Sequence, residues 1–274
     1  MERFLAAAVQ MTSGEDKEEN VKLAEELLDE AAKRQARLVV LPEVFNFIGS
    51  AKDEPEQAET IPGPTTEKMA AKAREHGYWL VAGSILEKVE GKKKIYNTTT
   101  IFSPEGKLTA RYRKLHLFDV DVEGGPRVME SAFREGGGEV VTTETELCVL
   151  GLSICYDLRF PEIYREMVFR GAELITVASD FTLLTGKDHW ESLLRARAIE
   201  NQVYLIAPNQ VGQKKNFAAY GHSMIVDPWG KVLTQARDEA CVITAEIDLD
   251  YQKKVRRQLP SLQHLSPVLN HRNN

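Results

Sequence analysis

Three reactive side chains stand where apolar runs end. Glu43 follows "VVLP", Lys114 lies in "RYRKLHLFD", and Cys155 closes "GLSI". Singly, each has an ordinary explanation. A thiol at a strand end is commonly inert core, a glutamate after proline can cap a helix, and a lysine in "RYRK" is commonly a solvated charge. As a set they fill the roles of nucleophile, base and cation once each. Ligands of α/β proteins bind beyond the C-terminal ends of strands, where all three are expected.

The elements that must position them alternate. "LAAAVQM" reads as a strand. "GEDKEENVKLAEELLDEAAKRQA" reads as a helix: Val21, Ala24, Leu27, Leu28 and Ala31 recur at helical spacing, with acidic residues early and basic residues late. "RLVVLPE" is short and apolar, as suits a strand buried on both faces. A helix near 65–76, the strand "YWLVAGSI" and the hairpin "IYNTTTIFSPEGKLTARYRK" follow. Residues 119–138 look looser. The alternation then returns with "LGLSIC", a helix at 161–170, "AELITVAS", the helix "HWESLLRARAIEN", "VYLIAPNQ", "GHSMIVDPWGKVLTQA" and "EACVITAEID". "TTIFSPEGKLTAR" is echoed by "HSMIVDPWGKVLTQA", each a strand, a Pro-x-Gly-Lys turn and a second strand. "RLVVLPE" and "LGLSIC" each end in a reactive side chain. The pattern predicts an α/β chain, a single domain over 1–274, made of two similar halves whose sheets pack together.

Composition narrows the function classes. Hydrophobic residues make up 43% and charged residues 28% of the 274, a soluble globular profile. A net charge of −6 predicts no broad attraction to nucleic acid. The basic runs at 92–94 and 253–257 read as a hairpin tip and a solvated helix face. No apolar stretch is long enough to span a bilayer, and "MERFLAAAVQM" reads as a first strand, not a leader peptide. Cys148, Cys155 and Cys241 are odd in number and widely spaced, so neither a disulfide framework nor a zinc site is expected, and a reducing cytoplasm is.

"LVVLPE", "RKLHLFD" and "SICYDLRFPE" resemble the three signature segments of the nitrilase/amidase superfamily of carbon–nitrogen hydrolases. "TGKDHWESLLRARAIENQVYLIAPNQ", "YGHSMIVDPWG" and "RRQLPSLQH" are similar to its Nit branch, nearer the deaminated glutathione amidases than the ω-amidases acting on α-ketoglutaramate. The resemblance implies a four-layer αββα sandwich, with no metal or organic cofactor. It implies Cys155 as nucleophile, Glu43 as general base and Lys114 as the cation at the oxyanion. It also implies a second glutamate, matched by Glu130 in "GGPRVMES", which could position Lys114 or the attacking groups. The expected reaction takes a small carboxamide to carboxylate and ammonia through a Cys155 thioester; an ω-amidase is the alternative, and a nitrilase or carbamoylase a more distant one. Chemically, Lys114 should favour the thiolate and Glu43 take its proton. Lys114 and the Tyr156 backbone N–H should hold the tetrahedral oxyanion.

Residues that could read the substrate follow from the same segments. Arg159 carries a bidentate fork suited to a carboxylate, or it pairs internally with Asp157 or Glu162. Asp180, Phe181 and Thr182 follow a strand and should line the pocket. The Nit pattern has a small residue where this chain has Asp180. A carboxylate there would disfavour an anionic substrate group, or it could point away and cap the next segment. Arg197 and Glu200 are spaced for a structural pair. His116 and His222 are expected to be structural hydrogen-bonders, and no metal spacing links them. The resemblance further implies a homodimer or higher homo-oligomer, with the helix at 161–170 and the C-terminal tail as candidate contacts.

Overall fold

In the computed structural model, residues 3–125 and 127–266 are described. The first half comprises β1 (Arg3–Gln10), α1 (Lys17–Lys33), β2 (Leu38–Val40), a short α2 (Glu54–Gln57), α3 (Pro64–His76), β3 (Trp79–Val81), β4 (Ile85–Glu87), β5 (Tyr96–Phe102) and β6 (Leu108–Arg113). A ribbon of β7 (Asp119–Asp121) and β8 (Arg127–Met129) occupies the region expected to be loose. The second half comprises β9 (Thr142–Glu144), β10 (Val149–Ile154), α4 (Pro161–Phe169), β11 (Leu174–Ala178), α5 (Leu183–Asn201) and β12 (Tyr204–Ala207). It continues through β13 (Val211–Gln213), β14 (Ala218–Tyr220), β15 (Met224–Val226), β16 (Val232–Gln235), β17 (Cys241–Asp248) and α6 (Leu249–Gln258).

The two halves repeat one plan. In the first sheet β1, β2 and β3 run parallel and β5 pairs antiparallel beside them. In the second, β10, β11 and β12 run parallel and β15 pairs antiparallel. The echoed hairpins are β5–β6 and β15–β16, and each carries a register shift near its turn, at Ile101/Phe102 and Ile225/Val226. On this correspondence β2 matches β11, not β10. The parallel drawn between "RLVVLPE" and "LGLSIC" is therefore corrected: the counterpart of Glu43 lies near Asp180. β17 returns to pair with β1, from Arg3↔Asp248 to Gln10↔Cys241, and ties the second half to the first sheet.

Side-chain alternation along β1 and β2 builds the layers. Ala6, Ala8, Leu38 and Val40 pack in one cluster with Leu152, Ile154 and Val177 of the second sheet. Ala7, Val9 and Val39 instead cluster with Val21 and Leu28 of α1 and Met69 of α3. Successive strand residues point to opposite faces, so both faces of these short apolar strands are covered. Burying each such large side chain contributes about 1.5–3 kcal/mol. The architecture is the expected α/β sandwich, helices outside and two sheets face to face.

α1 begins at Asp16, whose side chain accepts from the Glu19 N–H at 3.0 Å, as its acidic start suggests. α5 starts six residues before the expected "HWESLLRARAIEN", so "LLTGKD" is helical. The segment is held at its start by a bridge between Thr182 and Ala219 of β14. Gly186 lets the two elements approach: a Cβ there would lie 2.3 Å from Tyr220 Cγ. Gly186→Ala should therefore destabilise, because overpacking costs about 1–3 kcal/mol against about 1 kcal/mol of helix propensity gained. A thermal melt checks it; an unchanged or raised Tm would contradict the packing argument.

Candidate active site

Cys155 follows β10 with φ +47, the left-handed region that few non-glycine residues adopt. A short 3-10 turn over Cys155–Arg159 then leads into α4. Strained backbone of this kind is held by its surroundings, and here Asp157 holds it. Asp157 is fully buried and accepts four hydrogen bonds: Tyr112 Oη at 2.6 Å, His116 N–H at 3.0 Å, Ile154 N–H at 2.9 Å and His116 Nδ1 at 2.8 Å. The nucleophile turn is thereby fastened to the segment carrying Lys114. Asp157→Ala would leave these donors unpaired in the core, which costs about 1–3 kcal/mol per buried group.

The three sequence candidates converge. Glu43 Oε1 accepts from Lys114 Nζ at 3.0 Å and from Asn97 Nδ2 at 2.7 Å, while Oε2 accepts from the Asp180 N–H at 2.9 Å. Cys155 lines the same cavity wall as this carboxylate and is within reach of its charge. Glu130 accepts from Lys114 Nζ at 3.1 Å, from the Phe118 N–H at 2.8 Å and from Arg134 Nη1 at 2.7 Å. Arg134 also forms a fork with Glu54, at 2.9 and 2.7 Å. The sequence reading missed Asn97, Arg134 and Glu54. Asn97, the lone amide in the β-branched run "IYNTTT", was the one with a local signal.

The charges are set by burial and by these pairs. Burial opposes ionisation of Lys114, yet Glu130 and Glu43 raise its pKa and keep it an ammonium. Burial likewise opposes ionisation of Glu130, but Lys114 and Arg134 hold its carboxyl down at about 2. For Cys155, burial and then Glu43 push the thiol well above its ordinary range, and Lys114 only partly offsets them. Lys114 thus acts in the expected direction, toward the thiolate, but burial and Glu43 outweigh it and the resting thiol keeps its proton. The Glu130 shift also implies a pH course. Its folded pKa lies below the ordinary 4.5, so its stabilisation is complete above that value and is lost as pH falls toward 2. Melting temperature measured from pH 5 downward should fall less steeply in Glu130→Gln than in wild type; parallel slopes would contradict this.

A cavity of about 490 Å³ opens over the cluster, with Glu43, Lys114, Glu130, Cys155, Asp180 and Thr182 in its walls. Phe47, Phe118, Phe133 and Phe217 supply apolar surface. The other expected substrate readers lie beside it. Tyr156 packs edge-on against Phe118 and Phe160, and Phe181 packs on Trp190. The Arg159 guanidinium lies over the Tyr156 and Phe181 rings at 5.8 and 5.4 Å and meets His189 Nδ1 at 3.2 Å. The pairing with Asp157 or Glu162 is not what that placement shows. Arg197 pairs with Glu200 at 3.0 Å, as its spacing predicts. Cys148, Cys155 and Cys241 are all free thiols.

Residues 5–257 match a family model described as carbon–nitrogen hydrolase. The chain belongs to this family. This carbon–nitrogen hydrolase is 45% identical over 268 residues to a deaminated glutathione amidase of Synechocystis, covering 96% of this chain and 98% of that one. It is 42% identical over 261 residues to an omega-amidase of Xenopus tropicalis, covering 95% and 94%. Among solved structures, the NitFhit protein of C. elegans superposes with a TM-score of 0.91 at 41% identity, covering 97% of this chain and 65% of that longer one. The protein is thus an enzyme that hydrolyses carbon–nitrogen bonds other than peptide bonds, and the two curated relatives are both amidases. No helix among the described residues is long and apolar enough to cross a membrane.

Proposed function

We propose that the protein is a thiol amidase that cleaves a small amide through a Cys155 thioester. The observation that carries this reading is the meeting of thiol, carboxylate and ammonium at one cavity wall, with Glu43 Oε1 3.0 Å from Lys114 Nζ and Cys155 beside them. Glu43 takes the thiol proton as sulfur attacks the amide carbon. An ammonium has three N–H donors. Lys114 Nζ meets Glu43 Oε1 at 3.0 Å and both Glu130 oxygens at 3.2 and 3.1 Å; one N–H shared between the two Glu130 oxygens leaves a third for the developing oxyanion. The Tyr156 N–H, next to the nucleophile, supplies the second oxyanion contact. Protonated Glu43 returns its proton to the leaving nitrogen. Glu43 then activates water, which breaks the thioester and frees the carboxylate.

Deaminated glutathione is the substrate that the nearer relative's name supports, and an ω-amide is the second. A primary carboxamide releases ammonia. Deaminated glutathione holds only secondary amides, so its cleavage releases an amine, and the expectation of ammonia is narrowed accordingly. The test therefore reads both products from deaminated glutathione, α-ketoglutaramate, a carbamoyl amino acid and a nitrile, with wild type and Cys155→Ala. Turnover that disappears in Cys155→Ala is expected. Turnover that survives would sink thiol catalysis.

The same proposal includes a single catalytic domain, a reducing compartment such as the cytoplasm, and a homodimer. Three free thiols support the compartment. Phe169 on α4 and Leu259 near the tail, 38% and 50% exposed, support contacts through those elements; tail residues 267–274 lie outside the described residues. Light scattering should give the dimer mass at micromolar concentration, and a monomer would refute it.

A further inference from the structure

Arg134 and Glu54 line the cavity but have no part in the steps above. The Arg134 backbone is fixed: its N–H donates to the Glu130 carbonyl at 2.8 Å, and it bridges to Ile95, just before the strand β5 that carries Asn97. Its side chain is committed to two carboxylates. Nη1 donates to Glu130 Oε1 at 2.7 Å, while Nε and Nη2 donate to the two Glu54 oxygens at 2.9 and 2.7 Å. Glu54 belongs to α2, and the two side chains are 10% and 12% exposed. A planar guanidinium gripped by such a fork has its remaining donors fixed in direction. Buried ion pairs add little stability over apolar side chains of similar volume, so stability alone does not account for this one.

The bonds at Glu130 show what the fork does. Each Glu130 oxygen has one short donor, Arg134 Nη1 on Oε1 at 2.7 Å and the Phe118 N–H on Oε2 at 2.8 Å. Lys114 Nζ stands farther off, at 3.2 and 3.1 Å from the two. With Arg134 gone, Oε1 is open, and Lys114 can turn a separate N–H to each oxygen. Glu43 takes the third, and none is left for the oxyanion. We propose that Arg134 is a positioning residue for the oxyanion cation: by filling Glu130 Oε1 it limits the hold of Glu130 on Lys114 to one N–H, and Glu54 fixes Arg134 in that place. The proposal rests on the amidase reading and deepens it.

Charge acts in the same direction. Burial opposes ionisation of Glu130, and Lys114 and then Arg134 hold its carboxyl down at about 2. Two cations thus share one anion, and removing Arg134 turns the whole of that anion onto Lys114. The N–H at stake serves an oxyanion that forms only as sulfur attacks. Its loss therefore lowers kcat and leaves KM nearly as it was.

The test is a set of double-mutant cycles in kcat and KM, with deaminated glutathione and α-ketoglutaramate as substrates. Arg134→Met should lower kcat about 10–100-fold, less than outright loss of an oxyanion donor, and change KM less than about threefold. In Glu130→Gln the same substitution should cost less than about threefold, because an amide has a single acceptor oxygen and cannot draw two N–H groups from Lys114. Arg134→Lys keeps a charged donor and should recover most of the kcat lost in Arg134→Met. Glu54→Gln should lower kcat about three- to tenfold and add nothing in Arg134→Met. A merely structural role predicts losses that multiply in every background. Multiplying losses, a loss confined to KM, or kcat of Arg134→Met within about threefold of wild type would overturn the positioning role and leave the amidase reading intact. No turnover of either substrate by wild type would overturn both. If Arg134→Met does not fold, the cycle of Glu54→Gln with Glu130→Gln decides by the same rule.

Discussion

Glu43→Gln should lower kcat by about 10²–10⁴-fold, the range that removal of a positioned general base produces. Glutamine keeps the volume and one acceptor oxygen, so the bond from Asn97 or Lys114 can persist. What it cannot do is take a proton. The loss is large here because the Cys155 thiol is held protonated by burial first and by Glu43 second. Removing the Glu43 charge removes the second cause and leaves the first, so the variant thiol stays above its ordinary range. Residual activity should therefore climb with pH, since solvent must now ionise the thiol. Steady-state kinetics with a matched thermal melt checks this. A loss of less than about tenfold, with the fold intact, would take the base role away from Glu43.

Lys114→Met should be damaging twice. In stability, it removes the ammonium between two buried carboxylates, leaving Glu43 with Asn97 and Asp180, and Glu130 with Arg134 and the Phe118 N–H. Breaking a buried charge set by deleting one partner costs about 3–5 kcal/mol. For a chain of this size that lowers Tm by roughly 6–20 °C. The sign with pH follows: without the ammonium, the folded state favours protonated carboxyls, so the deficit should shrink on acidification. Adding Glu130→Gln should recover part of the stability by removing one stranded charge. In catalysis, loss of one oxyanion donor should cost a further factor of about 10²–10³ in kcat. A Tm within about 2 °C of wild type would show that the cluster is not held by charge pairing.

Much of this protein can be read locally. Periodicity places α1 and the short apolar strands, because each buries a face set by its own backbone repeat. The echoed Pro-x-Gly-Lys turns reveal the two halves, and the hairpins they close carry matching register shifts. Glu43, Lys114 and Cys155 stand out because reactive side chains at strand ends are unusual among their neighbours. The partners of these residues are a different matter. Glu130 lies in a region without clear periodicity, and Arg134 and Glu54 are ordinary charges in sequence; only docking of the β7–β8 segment brings Glu130 to Lys114, with Arg134 paired to Glu130 and Glu54 to Arg134 behind it. Arg159, four residues beyond the nucleophile, turns out of the cavity onto Tyr156 and Phe181, whereas Asp180 sits in the wall. The protonation of Cys155 was the least legible point. It is decided by how far burial and Glu43 together outweigh Lys114, a balance of terms that depends on distances between chain segments far apart in sequence. Residue type and local pattern determine which groups are available; packing of the two sheets decides their distances and desolvation, and therefore their charge.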